Sequence, residues 1–359
     1  MADKLRIGLL GCGPIAQFAH LPALTKARGV ELVALCDAAG DLLRKIGARV
    51  GVETLYTDCE EFLKDSAIEA VLIAVSDPFH HPLVLRVLDA GKHVLVEKPL
   101  AETSAQCEEI ARRVERTGLK LQVGAMKRHD PGLAFADKFI RERMGDLVSI
   151  SGYYWDSSFR PALQETLLPP VETSEGAKRP ANDPKADTQK YSLITHGAHL
   201  FDNLRFLGGP LVAVRASYVL KGVQHCWQGL VEYENGAHGH FDLTVKIHAD
   251  WAEGYVVQGE GGSVEIKTFV PFYYRPSHVR AFDKRDEQWH TPLGPHSNPY
   301  KNQLESFARS IRNDAPTVPD VYDGLAAVRA LEAVEEAART GERVQIATRA
   351  GVVLRRGTS

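Results

Sequence analysis

The chain has 359 residues, of which 44% are hydrophobic and 25% are charged, and its formal net charge is −3. Two domains with a shared interface explain this length most simply. The small net charge and the mixed signs argue against a basic surface for nucleic acid or acidic lipid. No apolar run has the length of a membrane span. We therefore expect a soluble two-domain protein with no nucleic-acid or membrane partner.

The five cysteines are odd in number and form no CxxC pair. This pattern predicts neither a disulfide framework nor a zinc knuckle. The N-terminus also lacks the basic and apolar regions of a cleaved signal peptide. We expect a cytoplasmic protein with free thiols.

Short apolar strands alternate with helices in the first third of the chain. The predicted strands are Arg6 to Leu10, Glu31 to Cys36, Ala70 to Val75 and His93 to Val96, with helices from Ile15 to Ala27 and from Asp41 to Val50. Such alternation specifies parallel strands joined by right-handed crossovers. We predict an α/β Rossmann domain with a doubly wound parallel sheet over residues 1–124.

The pattern changes after residue 124. A helix from Leu133 to Arg143 leads into a strand from Leu147 to Trp155, and two helices, Gln303 to Asn313 and Tyr322 to Thr340, end the chain. Further strands lie between them without intervening helices: Val212 to Val219, Gly229 to Tyr233, His238 to Val245, Tyr255 to Gln258 and Ser263 to Lys267. Residues 125–359 are therefore predicted to form an α+β domain with an open, mostly antiparallel sheet. An apolar outer face of that sheet would need a partner, so we expect a homodimer or homotetramer.

A proline-rich loop is predicted inside the second domain, at about residues 156–192. Pro169, Pro170, Pro180 and Pro184 argue against regular structure between Phe159 and Gln189. Loops of this length inside a compact domain are usually functional. A lid over the substrate and a plain surface insertion both remain open.

The first turn has the spacing of a dinucleotide-binding motif, with alanine in place of the third glycine: Gly11-Cys12-Gly13-Pro14-Ile15-Ala16. A strand precedes it and a helix follows, so backbone at Gly11, Gly13, Pro14 and Ile15 is predicted to face a pyrophosphate. Asp37 ends the second strand, where a carboxylate would accept the ribose hydroxyls and repel a 2′-phosphate. No arginine follows it, which favours NAD over NADP as the cofactor.

A lysine ends the strand that begins at His93, in the segment Ala90-Gly91-Lys92-His93-Val94-Leu95-Val96-Glu97-Lys98-Pro99. Together with the glycine turn, Asp37 and the segment from Ser76 to His81, this pattern resembles the Gfo/Idh/MocA family of sugar and cyclitol oxidoreductases. The likeness spans nearly the whole chain. The family's Thr-Pro-Asn, two residues, His pattern is matched at its two ends, while Asp77 and Pro78 depart from it.

The resemblance implies that Lys98 lies beside the nicotinamide and the reacting hydroxyl, where it would exchange a proton with the alcohol. It also implies that Ser76, His81 and Glu97 help to bind the cofactor. A purely structural lysine at the strand end is the alternative reading of Lys98.

A second family segment runs from Thr195 to Asp202, on a predicted helix. Gly197, His199 and Asp202 match a Gly-x-His-x-x-Asp pattern, but the aspartate that the family commonly has four residues before the histidine is Thr195 here. We predict that His199 shares a proton with the substrate and that Thr195 only hydrogen-bonds to it. A core histidine is the alternative for His199. His196 would point about 100° away from Thr195 and is interpreted as structural.

Two further segments complete the predicted site. Arg128 matches a family position near nicotinamide and substrate. Tyr154 and Trp155 end the first strand of the second sheet, where aromatic faces suit polyhydroxylated rings, although an aromatic core explains them equally well. The histidines have no recognised metal-ligand spacing, so no metal is expected.

The sequence therefore predicts an enzyme that passes a hydride between the nicotinamide of NAD and a secondary hydroxyl of a small sugar, glycoside or cyclitol, giving a keto-sugar. A redox-assisted glycosidase that recycles its cofactor is the alternative. A sugar-sensing regulator without catalysis is a less favoured one.

Overall fold

The computed structural model describes residues 4–181 and 185–348 of the chain. Six parallel strands form the first sheet: β1 (Leu5–Leu10), β2 (Val30–Cys36), β3 (Leu55–Tyr56), β4 (Ala70–Ile73), β5 (His93–Glu97) and β6 (Leu121–Gly124). Their spatial order is β3-β2-β1-β4-β5-β6, which confirms the predicted Rossmann fold. The strand order reverses beside β1, and ligands of such sheets bind at that point, outside the carboxyl ends of the strands.

Helices cover both faces of this sheet, because strands that are apolar along their whole length must be buried on both sides. They are α1 (Leu21–Leu24), α2 (Gly40–Val50), α3 (Cys59–Lys64), α4 (His80–Asp89) and α5 (Ser104–Thr117). The last two helices of the chain also pack here, since Leu304 and Phe307 lie in one core cluster of the sheet and Val328 in the other.

The helix predicted from Ile15 to Ala27 is less regular than expected. A π-helical turn spans Ala16–His20, and α1 follows it directly. The N–H of Leu21 donates to the carbonyl of Ala16, and the next residue is Pro22, which has no N–H to donate. The proline thus explains why ordinary α-helical hydrogen bonding does not run through this segment.

Nine strands form the second sheet: β7 (Leu147–Ser157), β8 (Leu211–Lys221), β9 (Gln224–Tyr233), β10 (His238–Ile247), β11 (Ala252–Gly259), β12 (Gly262–Thr268), β13 (His278–Asp283), β14 (Gln288–His290) and β15 (Val344–Gln345). Their order is β14-β13-β12-β11-β7-β10-β9-β8-β15. The sheet is mostly antiparallel, as predicted, but β7 lies between β10 and β11 and runs parallel to β10. The first strand of the domain is therefore central.

The inner face of the second sheet carries a core that includes Trp227, Phe241 and Tyr255. The helices of this part are α6 (Pro131–Arg143), α7 (Arg160–Leu167), α8 (Thr188–Gly208), α9 (Pro299–Arg312) and α10 (Val321–Thr340). Helix α8 approaches α10 closely, since a Cβ at Gly197 would lie 2.7 Å from Leu331. Within the described ranges, none of the helices combines the length and the hydrophobicity that a membrane span requires.

The prediction of an irregular loop from Phe159 to Gln189 was partly wrong, because α7 occupies its first part and α8 begins at Thr188. Pro161 stands in the first turn of α7, where a missing N–H costs nothing, so this proline favours the helix. Pro169 and Pro170 follow its end. Pro184 lies outside the described residues.

Candidate active site

The glycine turn joins β1 to the π-helical turn at the carboxyl edge of the first sheet. Gly11 has a φ of +98°, and a Cβ there would lie 2.5 Å from the carbonyl oxygen of Ala74. Only glycine fits that position. Gly13, in contrast, borders open space, since a Cβ there would meet nothing within 4 Å. The turn thus leaves open space at the start of the helix, and this space fits the pyrophosphate of a dinucleotide.

The carboxylate of Asp37 is held at the end of β2 by two backbone N–H groups. Cys12 donates to one oxygen at 2.8 Å and Ala39 donates to the other at 2.9 Å. Each oxygen keeps a free lone pair, so the carboxylate can still accept hydrogen bonds from a ribose.

The end of β4 departs from the sequence prediction. His81 lies in a surface pair with Glu109, at 2.9 Å, and Ser76 is exposed. His80 is the buried residue, with its ring nitrogens 2.7 Å from the carbonyl of Pro99 and 3.2 Å from that of Val75. His80 therefore ties the end of β4 to the loop after β5. His81 pairs with Glu109 at the surface, and its contact with the cofactor stays a prediction.

Lys98 follows β5 and its side chain enters the space between the two domains. Its ammonium lies 3.5 Å from the carbonyl oxygen of Thr195. The neighbouring Glu97 is buried, and its carboxylate lies 2.8 Å from Nε2 of His20. The sequence did not indicate this contact of His20. Because Glu97 is engaged by His20, Lys98 is the residue of the Glu97-Lys98 segment whose side chain can act on a ligand.

A cavity of about 320 Å³ lies at this edge, between the first sheet and the second domain. It brings together Ile15, Glu97, Lys98, Tyr154, Thr195 and His199 from the predicted site. The complete wall is formed by Ile15, Val75, Asp77, Glu97, Lys98, Met126, Lys127, Tyr154, Arg160, Gln164, Tyr191, Thr195, His196, His199, Trp251, Val270, Pro271, Phe272 and Tyr300. Arg160 and Gln164, one turn apart on α7, come from the segment predicted as a loop.

Helix α8 supplies four cavity residues: Tyr191, Thr195, His196 and His199. His196, which was interpreted as structural, also lines the cavity. The cavity is wide enough to reach two adjacent helix positions, and the ring of His196 packs against Tyr154. Its Nε2 lies 3.8 Å from a carboxylate oxygen of Asp156, while its Nδ1 is buried without a hydrogen-bond partner in the described structure.

The electrostatics of the cavity keep its histidines neutral. Burial, followed by the charges of Lys127 and Lys98, holds the pKa of His199 well below its usual value. Burial has the same effect on His196, and Arg160 adds to it. A neutral imidazole can accept a proton or a hydrogen bond from an alcohol.

Lys127 was missed in the sequence. It is buried and ion-paired with the fully buried Glu253, and its ammonium lies 4.9 Å from the ring centre of Tyr154 and 5.1 Å from that of Trp251. Burial lowers its pKa, and Glu253 opposes that shift. Nothing in the sequence indicated this pair, because its two members are 126 positions apart.

The neighbouring Arg128 does not face the cavity, which corrects its predicted contact with cofactor and substrate. Its guanidinium donates two hydrogen bonds to Asp202, at 2.9 and 2.7 Å, and lies 3.1 Å from Asp323. These carboxylates keep its pKa above the ordinary range. Arg128 thus joins α8 to α10, and Asp202 is one of its two ion-pair partners.

Tyr154 and Trp155 separate as adjacent strand residues must, because successive side chains of a strand point to opposite faces. Tyr154 is buried, lines the cavity and stacks on His199 with ring centres 6.2 Å apart. Trp155 lies on the outer face, 36% exposed, with its ring 4.6 Å from that of Tyr153. The prediction of a substrate contact for Trp155 is therefore corrected.

Family models match both parts of the chain. Residues 5–125 match an oxidoreductase family described as an NAD-binding Rossmann fold, and residues 181–346 match its C-terminal alpha/beta domain. The NAD-binding description agrees with the open glycine turn and the fixed Asp37 carboxylate.

Named relatives and solved structures extend this likeness over almost the entire chain. An inositol 2-dehydrogenase of Saccharopolyspora erythraea is 27% identical over 353 residues, 96% of either chain. A D-xylose 1-dehydrogenase (NADP(+)) of Haloferax volcanii is 25% identical and covers 95% of this chain and 100% of its own. A levoglucosan dehydrogenase, solved with NADH and levoglucosan, shares the fold at 20% identity, with a TM-score of 0.79 over 96% of this chain and all of its own. The chain belongs to the Gfo/Idh/MocA family of oxidoreductases, as its glycine turn and Glu97-Lys98-Pro99 segment predicted.

Proposed function

We propose that this protein is an NAD-dependent dehydrogenase that oxidises a secondary hydroxyl of a sugar, glycoside or cyclitol to a ketone. One observation carries the proposal: Lys98 and His199 line the same cavity at the carboxyl edge of an NAD-binding sheet. The relatives reported above are named as dehydrogenases of an inositol and of sugars, and they do not favour a glycosidase.

The residues of the glycine turn and Asp37 hold the cofactor in this proposal. The backbone N–H groups of Gly13 and Ile15, at the open start of the π-helical turn, face the pyrophosphate, and Asp37 accepts the ribose hydroxyls. When bound, the nicotinamide takes up or returns the hydride. The carboxylate also disfavours the 2′-phosphate of NADP.

Lys98 and His199 manage the proton of the reacting hydroxyl. The ammonium of Lys98 holds the hydroxyl oxygen and stabilises negative charge on it, while the neutral His199 accepts the proton. Thr195 hydrogen-bonds to the substrate and carries no charge that could raise the basicity of His199. Tyr154 and Trp251 provide an aromatic wall for the ring of a polyol.

The first test is the absorbance of NADH when the purified protein and NAD⁺ are mixed with glucose, glucosides, inositols and sugar acids. A rise with one class of polyol is expected. Lys98→Ala should reduce kcat/KM about 10² to 10⁴-fold while NADH still binds. Lys26→Ala, at an exposed position, is the matched control and should change nothing. No rise with any polyol would contradict the proposal.

The outer face of the second sheet supports a proposal about assembly. Val219 on β8, Leu230 on β9 and Val256 on β11 are 49%, 59% and 42% exposed. Apolar area of this kind on one face is typical of a subunit contact, and we assign it to a homodimer or homotetramer. Leu230→Glu should lower the mass measured by light scattering.

All five cysteines are free thiols, which suits the reducing cytoplasm.

A further inference from the structure

Residues 171–178, which we call the strap, cross from the second domain onto the carboxyl edge of the first sheet. They come from the segment in which a substrate lid was one of two alternatives. The strap does not line the cavity around Lys98. It lies instead over the end of the sheet that carries Asp37.

The first anchor of the strap is Gln17, in the π-helical turn behind the glycine turn. Its amide nitrogen donates to the carbonyl of Glu172 at 2.9 Å, and its amide oxygen accepts from the N–H of Glu172 at 2.9 Å. The same nitrogen donates to the carbonyl of Cys12 at 2.8 Å, and Gln17 is buried. One side chain therefore fixes both the glycine turn and the strap.

The second anchor lies just beyond the end of β2. Ser174 donates to a carboxylate oxygen of Asp41 at 2.6 Å, and Lys45 lies 3.2 Å from the carboxylate of Glu172. Gly176 comes so near that a Cβ on it would lie 3.9 Å from Ala39.

The third contact lies beyond the end of β4, on the other side of the glycine turn. The ammonium of Lys178 lies 5.9 Å from the ring centre of Phe79. The strap therefore runs from the loop after β2 to the loop after β4. In this sheet order those two loops border the crevice above the glycine turn, next to Asp37.

We propose that the strap is the outer wall of the adenosine half of the NAD site and must detach before the cofactor can leave. The inference rests on the proposed function, because Asp37 and the glycine turn must hold NAD for the strap to cover it. Each exchange would have to break the two exposed contacts of Ser174 and Lys45, the contact of Lys178 with Phe79, and the two hydrogen bonds between the Gln17 side chain and the backbone of Glu172. Cofactor exchange is accordingly slow, although nothing in the chemistry at Lys98 requires it.

The test measures NADH dissociation directly by stopped flow, from the loss of NADH fluorescence when the loaded protein is mixed with excess NAD⁺. Ser174→Ala combined with Lys45→Ala removes both exposed contacts and leaves the cavity intact. The dissociation rate constant should rise about tenfold, since interface changes act mainly on dissociation. Lys64→Ala, which removes an exposed pair with Glu61 away from the strap, is the matched control and should have no effect.

A second variant replaces residues 171–178 by a flexible Gly-Ser linker and should dissociate NADH faster still. Trypsin cleavage after the exposed Lys178 gives an independent readout and should slow when NADH is bound. Unchanged dissociation in both variants overturns the proposal. Tighter NADH binding without the strap also overturns it, because the strap would then compete with the cofactor for the adenosine site.

These outcomes are separate from the fate of the proposed function. If NADH binds and the strap controls its release but no polyol is oxidised, the dehydrogenase proposal fails and the strap proposal stands. If polyols are oxidised with unchanged NADH dissociation in the strap variants, the reverse holds.

Discussion

The two sides of the cavity are built in different ways. The proposed cofactor side consists mostly of backbone: a glycine turn, the start of a helix and a carboxylate fixed by two N–H groups. On the substrate side, side chains from distant segments meet, as in the buried pair of Lys127 and Glu253. A site made of backbone depends on the local conformation of the chain. A site made of side chains depends on the ion pairs and hydrogen bonds between distant residues. The two sides should therefore fail differently when mutated.

The largest effect is expected on the substrate side, at Glu253→Gln. The new side chain keeps the size of the old one, and its amide oxygen can still accept from Asn203 and Tyr255, which bond to Glu253. It leaves the Lys127 ammonium buried without a counter-charge, so the free energy of unfolding should fall by about 3 to 5 kcal/mol. Urea unfolding measures this. Glu265→Gln, in an exposed pair with Arg280, should cost at most about 1 kcal/mol. An equal decrease in the free energy of unfolding for the two variants would show that the buried pair stabilises the protein no more than the exposed pair does.

On the cofactor side, Gly11→Ala and Gly13→Ala form a matched pair. The first forces a Cβ against the carbonyl of Ala74 at a positive φ and should destabilise the fold by about 2 kcal/mol. The second enters open space and should leave stability nearly unchanged while weakening NADH binding. Thermal unfolding and NADH titration measure the two effects. Equal NADH affinity for wild type and Gly13→Ala would contradict the placement of the pyrophosphate.

A smaller effect is expected for cofactor choice at Asp37→Ser. Serine can still accept from the backbone, but it no longer repels a 2′-phosphate. The ratio of kcat/KM for NADP to that for NAD should rise about tenfold. Asp58→Ser, at a helix N-cap away from the site, should leave this ratio unchanged. A constant ratio in the Asp37 variant would place the ribose elsewhere.

The smallest expected effect is a pH dependence from the substrate side. The folded pKa of His199 is well below its usual value, so below about pH 6.5 the unfolded chain binds a proton that the folded protein does not. Stability is therefore full above that pH and falls as the pH decreases. His199→Asn should reduce the slope by about 1.4 kcal/mol per pH unit at most, as measured by urea unfolding between pH 5 and 7. His238→Asn, at an exposed position, should keep the wild-type slope.

The same contrast separates what the sequence predicted from what it did not. The glycine turn, Asp37 and Lys98 could be found because strand ends and their turns are local features that meet at one sheet edge. Arg128, Trp155 and His81 do not line the cavity around Lys98, whereas Lys127 and Tyr154, the neighbours of the first two, do. A family pattern locates the segment, but the local backbone conformation decides which of two adjacent side chains faces the cavity.

By itself, the sequence determined the alternation of strands and helices, the parallel first sheet and the residues at its carboxyl edge, because hydrophobic period and turn chemistry are written in consecutive residues. Only the tertiary structure decided the parallel insertion of β7 between β10 and β11, the pairing of Lys127 with Glu253 and the course of residues 171–178 over the first domain. These features join segments up to 155 residues apart. Their energies come from burial and contact geometry, which no local pattern encodes.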